Sequence, residues 1–597
     1  MLRALQSGGL PAFVLAALVI GVAPLAAGGD YLIGVGISVG AMAIAASGLI
    51  LLVGYAHQLA LGQAAFCIVG GYGSALLTVR AGWDPALAMI FSAALSMIIA
   101  YAIGRPILHL RGYVLAMGSL AVQLVFIHAA IELFDLTGGS MGLTGVPRFS
   151  VLGITFANDT AYYYLVWTLA LVSVAICRNI DQSRIGRALR AISATEAGAA
   201  SAGIDIALHK RQMFVISAGL ASVAGSLTAH YLRIMEPQVF NVNYSLNMLI
   251  AVIIGGLWSP WGGIVGAIAL SALREALRGL SLPLVELLIV GVITIVILMA
   301  MPRGLMGLVT RFTSPQCGDD ESLGAARTAL VEPQPLAPAE SPAVPVLEVS
   351  NVSRAFGNLR AVDGVSFTVA KGSVTALIGP NGAGKTTMFN LLSGYEAMDG
   401  GKVLLNGVQI EDWSVDRIAR DGVGRTFQLV QLFQGMTVLE NVMCGRNRFA
   451  QTSLASLLLR LPALVAEERV ARDKAIAALR LVGIDRYANS DPTNLPFGLQ
   501  RQAELARTLA LEPQLLLMDE PASGLNDTET EELGALILRI RASGTTVLLV
   551  EHDMRIIMGI ADHVVVMDRG MKIAEGMADE VRNMPQVIAA YLGGRAA

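Results

Sequence analysis

The sequence predicts a polytopic α-helical membrane domain followed by an α/β domain with a parallel sheet. Three observations predict this fold class. Apolar runs of about 20 residues recur between residues 1 and 311. Charged residues make up only 15% of the chain, against about 25% in a typical soluble protein, and they become frequent only after residue 345. Residues 379–386 read GPNGAGKT and follow a strand-like run, which is typical of a phosphate-binding loop.

The apolar runs predict the membrane-spanning helices. A helix needs about 20 mostly apolar residues to cross a hydrocarbon core about 30 Å thick. Runs that qualify lie at 10–27, 31–53, 59–79, 86–104, 113–134, 162–177, 212–231 and 284–301. The run 246–273 is also apolar, but Pro260 and several glycines interrupt it. We therefore predict that it forms a helical hairpin that turns at this interruption.

The positive charges predict the orientation of these helices. The segment 178–211 carries six Lys and Arg residues and is expected on the cytoplasmic side. The α/β half, which would bind a nucleotide, belongs on the same side. Counting between these two points predicts about ten crossings with both termini inside. Two alternatives stay open: a re-entrant hairpin at 246–273, and a cleaved signal peptide at 1–28 that would leave nine crossings.

Residues 312–345 predict a linker, and the composition excludes other functions. This stretch contains six prolines, so we expect a flexible, partly extended connector. The net charge of −3 gives no reason to expect a nucleic-acid partner. The four cysteines form no CxxC pair and no metal-ligand spacing. The predicted domains are therefore 1–311, 312–345 and 346–594.

The glycine-rich loop predicts a triphosphate site. Gly382 and Gly384 let backbone amides converge on phosphates, and the helix that follows points its positive end at the anion. Lys385 would neutralise charge on the β- and γ-phosphates, and the Thr386 hydroxyl could bind Mg²⁺.

Further polar residues follow strand-like runs in the same half. The run LLLM at 515–518 ends in Asp519 and Glu520. Asp519 would hold Mg²⁺, and Glu520 is placed to polarise an attacking water, because phosphoryl transfer depends on positioning and charge stabilisation. His552 ends another such run and could contact a γ-phosphate. Gln428 could sense Mg²⁺ and water.

The order of these motifs resembles that of ATP-binding cassette (ABC) domains, and the resemblance covers 346–594. It implies that Phe356 stacks on adenine, that Gln428 is the Q-loop residue, and that His552 is the switch histidine. The helical stretch 450–482 would belong to the helical subdomain. The implied ATP contacts are Phe356, Gly379, Asn381, Gly382, Ala383, Gly384, Lys385, Thr386 and Thr387. The implied Mg²⁺ ligands are Thr386, Gln428 and Asp519.

More specifically, both halves resemble subunits of branched-chain (hydrophobic) amino acid ABC importers. In the α/β half, residues 520–526 (EPASGLN) and 590–593 (AYLG) carry the resemblance. In the membrane half, residues 110–113, 137–145, 186–190 and 302–305 fit a type II-like importer permease. The chain would then be a natural fusion of permease and ATPase. The segment 194–205, with Glu196 and Gly203, would be the coupling helix.

The resemblance implies partners and a location. These are a second permease, a second ABC ATPase and a periplasmic or extracellular solute-binding protein, assembled in the bilayer of the bacterial cytoplasmic membrane. ATP and Mg²⁺ are the implied cofactors.

The chain departs from the family pattern in two places. The usual LSGGQ signature reads LPFGL at 495–499, and Pro496 lacks the serine hydroxyl that would reach a γ-phosphate. The residues expected to meet the partner's ATP are Pro496, Phe497, Gly498, Leu499 and Gln500. The D-loop ends in Asn526 instead of Asp. Because each ATP lies between one cassette's phosphate loop and the other cassette's signature, the departure affects the site shared with the partner's loop.

Two alternatives stay open at this point. The same class of transporter could import urea, short amides or aromatic acids. The chain could instead be part of a nucleotide-gated channel or sensor that does not pump, although Glu520 argues against this because sensing needs no catalytic carboxylate.

Overall fold

A computed structural model describes residues 10–26, 29–110, 112–277, 283–301, 304–311, 345–552 and 554–592. The chain divides into two compact units. The first comprises Met1–Leu189, Ala207–Gln316 and Leu454–Arg460, and the second comprises Arg190–Ile206, Cys317–Ser453 and Leu461–Ala597. Of the predicted linker, residues 312–344 lie outside the described residues.

The membrane half consists of helices with a few two-residue strands. Its elements are α1 (Leu10–Ala26), α2 (Asp30–Ile50, continued by a π-helical turn Leu51–Tyr55), α3 (Ala64–Ala81), α4 (Pro85–Ile107), α5 (Tyr113–Glu132), α6 (Phe134–Thr137), β1 (Leu143–Thr144), β2 (Ser150–Val151), β3 (Ile154–Thr155), α7 (Asp159–Asp181), α8 (Arg184–Ala194), α9 (Glu196–Ser201), α10 (Ile206–Leu232), β4 (Ile234–Met235), α11 (Val242–Gly255), α12 (Gly262–Leu277), α13 (Pro283–Ala300) and α14 (Gly304–Arg311).

The helices confirm the predicted polytopic membrane domain. Within the described residues, eight helical segments are long and apolar enough to cross a membrane, and the apolar helix Ala12–Leu25 is shorter. This is roughly consistent with the predicted crossings. The run 246–273 forms two helices, α11 and α12, that pack on each other around residues 256–261. Two predicted helix starts differ by five or six residues: α3 begins at Ala64 and not near 59, and α10 begins at Ile206 and not near 212. In the irregular stretch before α3, a Cβ on Gly62 would lie 1.9 Å from the Ser119 carbonyl oxygen.

Small residues let neighbouring helices approach closely in the first unit. A Cβ on Gly70 of α3 would lie 2.1 Å from the Ser222 carbonyl oxygen of α10, and a Cβ on Gly225 would lie 2.0 Å from that of Cys67. A side chain at either position would collide with backbone. Close backbone packing through small residues is the usual way that helices associate in a membrane.

The α/β half alternates strands and helices. Its elements are β5 (Pro345–Phe356), β6 (Leu359–Ala370), β7 (Val374–Ile378), α15 (Lys385–Leu392), β8 (Gly400–Leu405), β9 (Val408–Gln409), α16 (Val415–Arg420), β10 (Val423–Arg425), α17 (Val438–Cys444), α18 (Leu454–Leu458), α19 (Pro462–Val482), α20 (Phe497–Ala510), β11 (Leu515–Asp519), α21 (Asp527–Ala542), β12 (Thr546–Val550), α22 (Met554–Ile560), β13 (His563–Asp568), β14 (Met571–Gly576), α23 (Ala578–Arg582) and α24 (Pro585–Leu592).

Two sheets organise this half. A six-stranded sheet has the order β10-β11-β12-β7-β13-β14 and is parallel except for the pair β13–β14. A four-stranded antiparallel sheet has the order β6-β5-β8-β9. Every residue of β7, β11 and β12 is buried, which explains their continuous apolar sequences. The fold confirms the predicted α/β class.

The parallel register gathers the predicted motifs at one edge. Asp519 pairs with Val550, and Val550 pairs with Leu377. The loops that follow β7, β11 and β12 therefore begin side by side. This is the edge at which open parallel sheets bind ligands.

Candidate nucleotide site and coupling segment

The loop between β7 and α15 has the shape that an anion site requires. Gly382 and Gly384 have φ values of +83° and +95°, and a Cβ on Gly384 would lie 2.2 Å from the Ala361 carbonyl oxygen. Glycine is therefore required at 384 for both conformation and space. Asn381, Ala383, Thr386 and Thr387 lie on this loop or on the first turn of α15. The amides at the start of α15 point at the position that a phosphate would occupy.

Lys385 is held at the mouth of this loop. Its side chain is buried, and Nζ donates to the carbonyl oxygens of Gly379 at 2.8 Å and Pro380 at 3.0 Å. Burial lowers the pKa of the ammonium, while the nearby carboxylates of Glu520 and Asp519 oppose that shift. The loop thus positions a cation among backbone groups before any phosphate charge is added.

Asp519 ends β11 as a buried carboxylate that is 3% exposed. Its Oδ2 lies 3.5 Å from Nη2 of Arg425. Burial raises the pKa of Asp519, and the Arg425 guanidinium opposes this. Arg425, at the end of β10, is itself buried and donates to Oδ1 of Asn390 at 2.8 Å. It therefore ties the acidic strand end to α15.

Glu520 and Gln428 are brought together. Nε2 of Gln428 donates to Oε2 of Glu520 at 2.9 Å, although the two residues come from different loops. Glu520 has a φ of +46°, a conformation that costs a non-glycine residue of order 1–3 kcal/mol and is often found at functional sites. Its amide donates to the Val550 carbonyl oxygen at 2.9 Å, which fixes the strained residue beside β12.

His552 follows β12 and lies next to Glu551. Its side chain is 62% exposed, and Nδ1 lies 3.7 Å from Oε2 of Glu551. Glu551 is fully buried and accepts hydrogen bonds from the amides of Ala522 at 2.7 Å and His552 at 3.1 Å. The buried glutamate thus joins the turn after Glu520 to the strand end that carries the histidine. The sequence analysis gave Glu551 no role.

Arg501 is a second residue that sequence reasoning missed. On α20, its Nη1 donates to the carbonyl oxygens of Glu520 at 3.0 Å and Ser523 at 3.1 Å, and its Nη2 donates to that of Gln428 at 2.9 Å. One guanidinium therefore binds the backbone of the two loops that carry Glu520 and Gln428, which are two of the three predicted catalytic residues. The motif LPFGLQR contains this arginine, but a pattern does not show where its five donors go.

The predicted signature residues, 496–500, lie at the start of α20. Pro496 is the N-cap residue and makes no side-chain cap. Phe497 is 45% exposed, and Gly498 lies close to Oε1 of Glu529, which a Cβ would meet at 3.4 Å. Leu499 lies in the first turn, and Nε2 of Gln500 donates to the Leu495 carbonyl oxygen at 2.8 Å. A helix N-terminus can bind an anion through its amides, but Pro496 adds no hydroxyl.

Phe356 offers an exposed aromatic face at the end of β5. Its ring is 44% exposed, and the Arg354 guanidinium lies 4.9 Å from the ring centroid. Arg354 is in turn paired with Asp399 at 2.9 Å and Glu396 at 3.2 Å. The arginine supports the ring from one side, so an aromatic ligand would stack on the other.

The predicted coupling segment belongs to the second unit. Glu196 opens α9, and Thr195 caps it by accepting from the Gly198 amide at 3.3 Å. The Ala197 carbonyl oxygen accepts from the Tyr395 hydroxyl at 2.7 Å. Gly203 adopts a φ of +74° after the helix.

Tyr395 connects this segment to the nucleotide site. Its ring lies edge-on to Phe427 with centroids 5.9 Å apart, and the Arg425 guanidinium lies 5.1 Å from its centroid. Burial raises the pKa of Tyr395 to about 12, so the phenol stays protonated and its hydroxyl donates a hydrogen bond to the Ala197 carbonyl oxygen. Phe427 precedes Gln428, the predicted Q-loop residue, and Arg425 contacts Asp519. A packed chain of three side chains therefore runs from α9 to the acidic strand end.

Three family profiles match: "ABC transporter" over residues 362–523, "Branched-chain amino acid transport system / permease component" over 31–298, and "Branched-chain amino acid ATP-binding cassette transporter" over 571–597.

Two curated proteins and one solved structure are similar to the second half of this chain. The high-affinity branched-chain amino acid transport ATP-binding protein BraF of Pseudomonas aeruginosa is 44% identical over 250 residues, which is 42% of this chain and 98% of BraF. Its counterpart LivG of Escherichia coli K12 is 43% identical over the same shares. A crystal structure of a nucleotide-free ATP-binding cassette from an ABC transporter is 31% identical, covers 42% of this chain and all of that chain, and has a TM-score of 0.37.

A helical permease domain and a nucleotide-binding cassette in one chain define a subunit of an ABC transporter that is both permease and ATPase. The chain belongs to the branched-chain amino acid ABC transporter family, in which it is a fusion of the permease and ATP-binding components. It is a multi-pass membrane protein with a cytoplasmic ATPase domain. The resemblance predicted from the sequence is confirmed.

Proposed function

We propose that the chain uses ATP hydrolysis to import branched-chain or other hydrophobic amino acids across the bacterial cytoplasmic membrane. The single observation that carries the coupling is the hydrogen bond from Tyr395 to Ala197. It joins a segment that lies between two helices of the permease sequence to side chains that reach the nucleotide site. The matched permease and cassette families support the substrate class.

The nucleotide-site residues support hydrolysis. Phe356 would stack on the base, and the loop 379–387 would hold the phosphates with Lys385. The Thr386 hydroxyl and Asp519 carboxylate are hard oxygen donors of the kind Mg²⁺ prefers, and one carboxylate suffices because Mg²⁺ keeps water and phosphate ligands. When bound, Mg²⁺ would neutralise charge on the phosphates. Glu520, oriented by Gln428, would accept a proton from the attacking water.

The proposed assembly contains a second permease, a second cassette and an external solute-binding protein. The start of α20 would face the ATP held by the partner cassette. Pro496 leaves that ATP without a hydroxyl contact, so the two sites of the assembly would differ. His552 would contact the γ-phosphate of this chain's own ATP, and its exposed side chain is free to move there.

The experiment that tests the hydrolytic role compares Glu520→Gln with the parent in the assembled complex. Because general-base catalysis contributes about 10²–10⁴-fold, we expect ATPase activity to fall by at least about a hundredfold while ATP still binds. Uptake should be lost together with hydrolysis. Glu531→Gln, on the exposed face of α21, is the matched control and should behave like the parent.

The same experiment separates import from a gated channel. If Glu520→Gln hydrolyses ATP as fast as the parent, the assigned mechanism is wrong. If the variant loses hydrolysis but still passes solute down its gradient whenever ATP is bound, the complex is a nucleotide-gated channel and not a pump.

A further inference from the structure

The membrane half contains a cavity of about 630 Å³ bounded by α2, α10, α11 and α12. This is within the range of about 300–1,000 Å³ that is usual for small-molecule sites. The cavity lies on the external side of the permease. Tyr231, which lines it, is near the end of α10, about 40 Å along a 27-residue helix from its start in the basic cytoplasmic segment.

Groups of both charges line this cavity. Asp30, Arg274 and Glu275 all contribute to its wall. The Arg274 guanidinium donates to Oδ1 of Asn247, and both carboxylate oxygens of Glu275 lie 3.0 Å from the Tyr31 hydroxyl. These hydrogen bonds hold the Arg274 guanidinium and the Glu275 carboxylate in position. Asp30 is the first residue of a candidate membrane span, and Arg274 and Glu275 lie near the end of α12.

The wall that α2 contributes to the cavity is charged at the start of the helix and mostly apolar further along it. Asp30 opens this helix, and Val35, Val39 and Met42 follow on the face that lines the cavity. From Asp30 to Met42 the helix extends about 18 Å. Gly34 lets the opposite wall approach, because a Cβ there would lie 2.8 Å from the Tyr231 hydroxyl oxygen.

This arrangement matches one class of small molecule. An α-amino acid carries a carboxylate, which guanidinium groups bind in a fork geometry, and an ammonium group, which carboxylates bind. An apolar side chain could then extend along the Val35, Val39 and Met42 stripe. Urea and short amides carry no charge for these groups, and an aromatic acid without an amino group leaves the carboxylates unpaired.

We propose that this cavity, the outer pocket, binds the zwitterionic head group of a hydrophobic amino acid within the permease. Arg274 pairs with the substrate carboxylate, and Asp30 and Glu275 pair with its ammonium group. This rests on the proposed import function and goes further, because it places a second selection step in this chain, after the solute-binding protein. That step discriminates amino acids from amides and from simple acids.

The test is equilibrium binding of radiolabelled leucine to the purified transporter complex in detergent, without its solute-binding protein. Arg274→Gln and Glu275→Gln should each weaken leucine binding at least tenfold, and Arg274→Lys should recover part of the loss. Arg148→Gln and Glu132→Gln are matched charge controls at exposed positions outside the outer pocket, and both should bind leucine like the parent. Basal ATPase activity should remain in all five variants, which shows that each one folds.

Substrate analogues assign the two charges separately. Leucinamide lacks the carboxylate, so Arg274→Gln should not weaken its binding. 4-Methylpentanoate lacks the ammonium group, so Glu275→Gln should not weaken its binding. Leucine should lose affinity in both variants.

Several results would overturn the outer pocket as an amino acid site. One is leucine binding that is unchanged in Arg274→Gln and Glu275→Gln. Another is a defect confined to binding of the solute-binding protein, or to association with phosphatidylglycerol vesicles, because the charges would then serve a protein or lipid contact. If the parent imports leucine and the variants do so equally well, only the outer pocket fails. If the parent imports no amino acid at all, the proposed function fails with it.

Discussion

At the scale of single residues, the nucleotide site depends on contacts that no motif states. Lys385, Asp519 and Glu520 could be predicted from the sequence because their positions relative to strand-like runs and glycines are distinctive. Arg425 and Arg501 were missed because their roles lie in where their guanidinium groups point: one towards Asp519, the other towards the carbonyl oxygens of Glu520 and Gln428. A lone arginine at the end of a strand gives no such direction.

Tyr395 was missed for a similar reason, and it supports a prediction. Tyr395→Phe keeps the ring against Phe427 but removes the donor to Ala197, which lies 198 residues away in the sequence. The bond is only partly buried, so its loss should cost about 1 kcal/mol, the usual net value of a hydrogen bond. We expect the amount of solute moved per ATP to fall about fivefold or more, while basal ATPase activity changes less than about twofold.

The measurement is uptake and ATP hydrolysis in the same proteoliposomes. Tyr487→Phe removes a hydroxyl from another tyrosine of the cassette half and is the control. An unchanged ratio of uptake to hydrolysis in Tyr395→Phe would show that the hydrogen bond to α9 does not transmit the motion.

At the scale of elements, long apolar runs made the membrane helices predictable. The runs predicted at 86–104 and 212–231 lie inside α4 and α10, because crossing the bilayer demands about 20 apolar residues whatever the neighbouring helices are. The outer pocket was not predictable. It arises from the side-by-side placement of α2 and α12, which are more than 200 residues apart in the chain, and a single sequence does not show such pairings.

Helix packing in the membrane half supports a prediction about stability. In Gly225→Ala, the added methyl group would lie 2.0 Å from the Cys67 carbonyl oxygen. Because α3 and α10 must then separate, we expect a loss of about 1–3 kcal/mol and a lower thermal unfolding temperature. Gly291→Ala on α13 is the control, since a Cβ there meets nothing within 4 Å. Thermal unfolding of the detergent-solubilised protein checks this, and equal unfolding temperatures for the two variants would mean that α3 and α10 do not pack as described.

At the scale of the whole molecule, the fusion fixes one permease to one cassette. A covalent connection raises the effective concentration of each part for the other, so the two remain associated even when solute and nucleotide are absent. The matched family profiles span residues 31–298, 362–523 and 571–597, so they include most of both halves.

The most direct test of ATP-driven import is solute accumulation in proteoliposomes that contain the complete complex and its solute-binding protein. Leucine uptake is compared with ATP, with a non-hydrolysable ATP analogue and without nucleotide, all with Mg²⁺ present. We predict that leucine accumulates inside the proteoliposomes above its external concentration with ATP, and not in the other two conditions. Equal accumulation with the analogue, or with no nucleotide, would contradict the account.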